Sequence, residues 1–195
     1  MQVIEIIRQK VLVRALILAT SIFFVSVVVG AAIGKDTVEA LMRELGAVLE
    51  PLTSTGNFSI LLLLIIFTNN AIKALGLVLL GILVGLPSLL FITVNGFILG
   101  GLGCALESVG GWRYVMASFV PHGVIEIPVI LLAAALGLTV GVESLRWLAR
   151  RESRVKSQLS DCLKVYLRCI LPGLAVAAVI EVFVTPLLIR LVSAC

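Results

Sequence analysis

Charge is what this sequence has least of. Asp, Glu, Lys and Arg make up 13% of its 195 residues, against 61% hydrophobic ones, and the mean hydropathy is +1.21. Soluble domains carry roughly 25% charged and about 45–50% apolar residues, so a soluble fold of this size could not hide so much apolar surface. Histidine is nearly missing: His122 stands alone, which leaves any metal site to be completed by carboxylates or amides. The cysteines Cys104, Cys162, Cys169 and Cys195 lack C-x-x-C spacing. They give neither a zinc signature nor a disulfide framework and read as small packing residues. The net charge of +4 is too small to point to nucleic acid. Alternating polarity, the mark of membrane barrels, is absent as well.

What is there instead is long, unbroken apolar runs. Residues 15–34, 51–72, 74–106 and 127–142 carry no charge. In hydrocarbon each backbone N–H and C=O needs an internal partner, so these runs predict helices. The expected fold class is an all-α, polytopic transmembrane bundle forming a single integral membrane domain over 1–195. Its spans fall at about 13–34, 57–84, 87–106, 114–142 and 169–192. The first span, opened by Arg8, Lys10 and Arg14 and followed by Gly30-Ala31-Ala32, loosely resembles a signal peptide. A signal h-region is about 7–15 residues long; this run can cross a bilayer and reads as a retained anchor.

Residues 35–50 mix charges with apolar residues at three- and four-residue intervals, the pattern of a surface-lying helix limited by Pro51. Residues 57–106 hold a single charge, Lys73. They fit two spans with a turn near Gly85-Leu86-Pro87-Ser88, or two spans plus a half-helix over 95–106. A polar, glycine-rich loop is expected at 107–113, and the fourth span is entered through Pro121-His122-Gly123. Residues 143–168 are amphipathic and basic. Lys and Arg number three before the first span, two between the first and second, one at Arg113, and seven over 146–168. Placing both rich segments inside gives a multi-pass cell-membrane protein with a cytoplasmic N-terminus.

Ionisable groups at membrane depth are costly, about 2.5–3.5 kcal/mol for a central charge, and are candidates for function. Here the polar set is Asn69, Asn70, Lys73, Asn95, His122, Glu126 and Glu181. His122 and Glu126, four apart, share a helix face. One imidazole and one carboxylate there make a proton relay or part of a metal site, with His122, Glu126 and Glu181 as candidate ligands. No further cofactor is expected. The bland alternative is interhelical glue, at about 0.6–2 kcal/mol for each hydrogen bond. The basic residues Arg146, Arg150, Arg151, Arg154 and Lys156 form a candidate surface for anionic lipid or a protein partner. Gly81-Ile-Leu-Val-Gly85 and Gly96-Phe-Ile-Leu-Gly100 have the spacing of close helix contact, and favour a homo-oligomer. Gly100-Gly101-Leu102-Gly103 lacks both the strand and the lysine of a phosphate loop. Ser118, one turn before His122, has no evident oxyanion donors to make it a nucleophile.

The ordered series Asn69-Asn70, Gly81 with Gly85 and Pro87, Asn95-Gly96, Gly100, Pro121-His122-Gly123 with Glu126, and Ile180-Glu181-Val182-Phe183-Val184-Thr185-Pro186 resembles the stage II sporulation protein M family over nearly the whole chain. In endospore formers the resemblance implies a multi-span scaffold for two cell-wall hydrolases of the engulfment machinery. Most relatives neither sporulate nor, in the archaea, possess murein, so the shared activity must be more general. The resemblance marks Asn70, Asn95, His122, Glu126 and Glu181 as matching the family pattern. Two function classes stand at this point. One is a non-enzymatic integral membrane scaffold or assembly factor, with the bilayer and membrane or cytosolic proteins as partners. The other is a small transporter, channel or intramembrane metal-dependent enzyme built on the buried His/Glu/Asn set.

Overall fold

The computed structural model describes residues 2–37, 40 and 60–193; most of the surface helix expected over 35–50, and Cys195, lie outside them. Among the described residues there is no strand. The elements are α1 (Gln2–Ile33), α2 (Ile60–Leu79) with a short 3-10 turn (Leu80–Ile82), α3 (Leu86–Leu148), α4 (Val155–Val165), α5 (Leu171–Val179) and α6 (Thr185–Ser193). Two π turns, Tyr166–Ile170 and Ile180–Val184, join α4, α5 and α6 into one rod. Four helices are long and apolar enough to cross a membrane: Gln9–Ile33, Ile60–Ile82, Leu86–Leu148 and Val155–Val192. The protein is an all-α membrane bundle.

The third of these helices, at 63 residues, would measure about 95 Å if straight at roughly 1.5 Å per residue, some three times a bilayer core of about 30 Å. It folds back on itself. Gly111 alone departs from helical geometry, with φ 71° and ψ 178°, a conformation open to glycine because it has no Cβ. Residues on either side of it meet: Leu102 and Phe119 line one cavity, as do Asn95 and His122. The arms 86–110 and 112–148 therefore form an antiparallel hairpin. Three expectations are corrected here. The loop expected at 107–113 is a one-residue break between helices. The half-helix at 95–106 does not exist, because Asn95 sits inside a continuous arm and its amide donates to Phe91 O at 2.8 Å. Pro121-His122-Gly123 lies within the second arm, beyond its entrance.

At the other end, Val84 (φ 61°) and Gly85 (φ 75°) turn the chain from α2 into α3, and Pro87 stands in the first turn of the new helix, where its missing N–H costs nothing. The second hairpin, between 148 and 155, is pinned by Glu143. Its carboxylate accepts from the Arg146 guanidinium at 2.6 Å and from the Arg154 backbone N–H at 2.9 Å. The basic residues Arg150, Arg151, Arg154 and Lys156 are exposed at this end, with Arg146 half-buried.

The second arm is the centre of the bundle. Its residues 133–141 are buried without a gap, as expected of a helix surrounded by others. On one flank, a Cβ on Gly137 would strike Leu77 O and Ser88 Oγ, and one on Gly141 would strike Val84 and Gly85. The Ser88 hydroxyl donates to Leu77 O at 3.1 Å in the same contact. On another flank, Cys162 and Gln158 of α4 reach Thr139. α1 packs parallel to the first arm: a Cβ on Gly96 would meet Phe23 O, and one on Gly100 would meet Val27 O. Both G-x-x-x-G faces, on which the expectation of self-association rested, are thus consumed within the chain. Outward faces of α1 and α2 expose Val25, Val28, Ile33, Ile60 and Ile72, the apolar surface that lipid requires.

Candidate intramembrane polar site

α2, the two arms of α3 and the last rod bring their polar residues together near the middle of their spans. His122 and Glu126 stand one turn apart on the second arm, as helical spacing dictates. Glu181 comes from the last rod. One ligand-capable atom from each of the three lies within 4.8 Å of the others. Asn70 of α2 donates its amide N–H to Glu126 Oε1 at 2.9 Å. The Nδ1 atom of His122 is buried and has no hydrogen-bond partner among the described residues. An orphaned buried polar atom costs about 1–3 kcal/mol, so this nitrogen either costs the fold stability or has another use.

The cluster adjoins a cavity of about 240 Å³. Its polar walls are Asn70, Lys73, Asn95, His122 and Glu126, and Phe23, Phe91 and Phe119 contribute to the apolar remainder. Lys73 is exposed, while Asn70, Asn95, His122 and Glu126 are half-buried. Glu181, also half-buried, approaches the cluster without lining the cavity. Asn69 is exposed and is not brought to the site. Ser118 donates its hydroxyl back to Tyr114 O at 2.8 Å, so it is not engaged with His122.

Local sequence explains the placement of Glu181. Leu171 and Thr185 each donate the backbone N–H to a carbonyl five residues back, Tyr166 O and Ile180 O. Each immediately precedes a proline, Pro172 or Pro186. A proline ring clashes with the carbonyl four residues behind it and leaves that carbonyl without an N–H. One extra residue in the turn relieves the clash, which is the local form of a π bulge. Glu181 lies inside the second such turn, and Thr185 Oγ1 adds a 3.4 Å bond to Ile180 O. Pro121 frees the Ala117 carbonyl by the same logic, just before His122.

Two positioning residues escaped the sequence reading. Tyr166, in the first π turn, donates its hydroxyl to Ala71 O at 3.0 Å and so fastens the last rod to α2 beside Asn70. Gln158 donates to Thr139 Oγ1 at 3.0 Å, and Thr139 donates to Leu136 O at 2.7 Å. Tyr166 sits where the basic segment gives way to the last apolar run, and its place there carries no sign of a long-range partner.

A protein-family model described as stage II sporulation protein M matches residues 17–186. A protein of Methanocaldococcus jannaschii, itself described as uncharacterised, is 30% identical over 128 residues, which cover 62% of this chain and 69% of that protein. No solved structure matches the chain. The matched region begins in α1 and ends at Pro186, so it contains the whole polar cluster and both π turns. Together with the apolar helices on which these residues stand, that match settles the relationship: the chain belongs to the stage II sporulation protein M family.

Proposed function

We propose that this multi-pass membrane protein is a small cation-handling transporter whose working site is His122, Glu126 and Glu181, with its N-terminus cytoplasmic. One observation supports this above others: three ionisable side chains from two spans converge at membrane depth beside a cavity. Glue between helices can be made of Ser, Thr and Asn, at about 0.6–2 kcal/mol per bond. Two carboxylates at that depth cost more than such bonds return. A site of this kind binds a proton or a metal ion and releases it when the helices shift. The π turn at Glu181 and the prolines at 121 and 186 supply places where the helices can bend. The basic end at Arg146, Arg150, Arg151, Arg154 and Lys156 is placed against the anionic cytoplasmic leaflet, each charge worth about 1 kcal/mol there.

The experiment is cation flux in proteoliposomes holding the full chain, with a pH-sensitive dye and a metal-sensitive dye inside. Flux above that of empty vesicles is expected, falling at least tenfold in Glu126→Gln. No flux of any cation at any gradient overturns the reading.

A second reading is favoured by family membership, since the described member of sporulating cells is implied to be a scaffold for cell-wall hydrolases. Under it, the exposed apolar faces of α1, α2 and the last rod dock other membrane proteins, and the chain is an assembly factor without turnover. Recovery of the same membrane partners by wild type and Glu126→Gln, with no flux in either, would favour it.

A further inference from the structure

Resting on the transporter reading but going beyond it, we infer that the His122–Glu126–Glu181 cluster takes a divalent transition-metal ion of the Mn²⁺, Fe²⁺ or Zn²⁺ class, in a site left partly open toward the cavity.

The donor set decides the class. One imidazole nitrogen and two carboxylates make a mixed nitrogen–oxygen site. Imidazole suits Fe²⁺ and Zn²⁺, whereas carboxylate, carbonyl and water suit Mg²⁺, Ca²⁺ and Mn²⁺; a set with both kinds of donor fits the ions from Mn²⁺ to Zn²⁺ better than it fits Mg²⁺ or Ca²⁺. Soft ions are disfavoured, because among the described residues no thiol joins the set: the Cys104 thiol donates to Ala31 O, the Cys162 thiol packs beside Thr139 and Leu136, and Cys169 is exposed. Charge points the same way. Two carboxylates match a divalent ion, and Lys73, which lines the same cavity, supplies only a single positive charge against them.

Geometry permits it. Metal–ligand distances of roughly 2.0–2.2 Å place three ligands spread around one ion about 3.3–3.8 Å from one another. The three atoms lie within 4.8 Å of one another, so closure requires each to shift by about an ångström or less. The orphaned Nδ1 of His122 shows that this ring has hydrogen-bonding capacity that the described residues leave unused. Asn70 holds Glu126 by Oε1 and leaves Oε2 for the ion, the arrangement by which a neighbour orients a ligand without touching the metal. Three protein ligands leave coordination positions for water. Structural sites fill four positions with protein; sites that exchange ligands keep one open.

The test uses the full chain, purified in detergent, stripped with a chelator and titrated separately with MnCl₂, ZnCl₂ and MgCl₂. One Mn²⁺ or Zn²⁺ per chain is expected by elemental analysis, with Mg²⁺ failing to compete at a hundredfold excess. Glu181→Gln and Glu126→Gln should each weaken Mn²⁺ binding by about 10- to 100-fold, and Asn70→Ala by about tenfold. If a variant does not fold, pulsed electron paramagnetic resonance of Mn²⁺ in the wild type still reads the ligands: nitrogen-14 coupling from the imidazole must appear. No stoichiometric metal, no nitrogen coupling, or unchanged affinity in folded glutamine variants overturns the inference. Absence of bound metal together with proton flux that persists in chelator would mean that this inference fails while the transporter reading stands. Bound metal without flux of any cation would mean the reverse.

Discussion

The two halves of the second α3 arm, 112–148, are one helix built to opposite ends. Over 133–141 it is sealed by Ala133, Ala134, Ala135, Gly137 and Gly141, small enough for neighbouring backbones to touch. Over 119–127 it carries Phe119, Pro121, His122 and Glu126 and borders a cavity of about 240 Å³. Neither half would serve in the other's place. Small residues bring helices together by dispersion and leave no room for an ion. Larger polar residues on a proline-interrupted turn hold helices apart and must find partners across the gap. The lesson is that this protein confines its expensive groups to one stretch and makes the adjoining stretch tight, so that a polar site does not loosen the bundle.

The sharpest way to break that contrast is to treat one glycine from each half alike. In Gly137→Ala the new Cβ starts where Leu77 O and Ser88 Oγ already stand. Overpacking costs typically 1–3 kcal/mol; with backbone on the far side, roughly 3 kcal/mol or more is expected. Thermal unfolding in detergent should show little folded protein. In Gly123→Ala the new Cβ meets only Ile127 Cδ1, at 3.5 Å, and alanine gains about 0.4–1 kcal/mol from reduced chain entropy. That variant should be as stable as the wild type or more so. Equal losses in both would mean that the two halves are packed alike.

How much of this could be read beforehand divides along the same line. The spans were legible because backbone groups in lipid leave so few options, and the ionisable residues because each interrupts an apolar run. The four-residue spacing of His122 and Glu126 put them on one face with no structure needed. Gly111 was not legible: Glu107, Ser108 and Arg113 around it read as a loop, yet they are exposed ends of two helices. Nor does G-x-x-x-G spacing say whose backbone will approach. Gly96 and Gly100 meet α1 and Gly81 meets the second arm, where another copy of the chain would have fitted the pattern equally well. The π turns were hidden because a proline in an apolar run announces a kink without saying how the chain relieves it.

An intermediate effect separates two adjacent amides. Asn70→Ala removes the 2.9 Å bond to Glu126 and leaves that carboxylate short of a donor, for a loss of about 0.6–2 kcal/mol. Asn69→Ala removes an exposed amide and should fall within about 0.5 kcal/mol of wild type. Paired denaturation midpoints in one detergent check this, and matching losses would mean that the α2 contact to the second arm does not hold the site.

The smallest effect asks what makes the turn at Glu181. Thr185 Oγ1 reaches Ile180 O at 3.4 Å, a distance at which a hydroxyl bond is weak. Pro186, by contrast, denies the Val182 carbonyl its usual partner and crowds it. If the ring causes the π turn, Thr185→Val keeps it, because valine has nearly the same shape and leaves the Thr185 backbone N–H donor in place. Thr185 is buried, so the added methyl also keeps its surroundings filled. The expected loss is below about 1 kcal/mol, with Mn²⁺ affinity unchanged. Pro186→Ala then supplies the contrast. It restores an N–H, lets the helix rewind to ordinary α geometry, and turns Glu181 away from His122 and Glu126, with fold stability held or raised and metal affinity lost. Affinity lost in Thr185→Val and kept in Pro186→Ala would assign the turn to the hydroxyl instead.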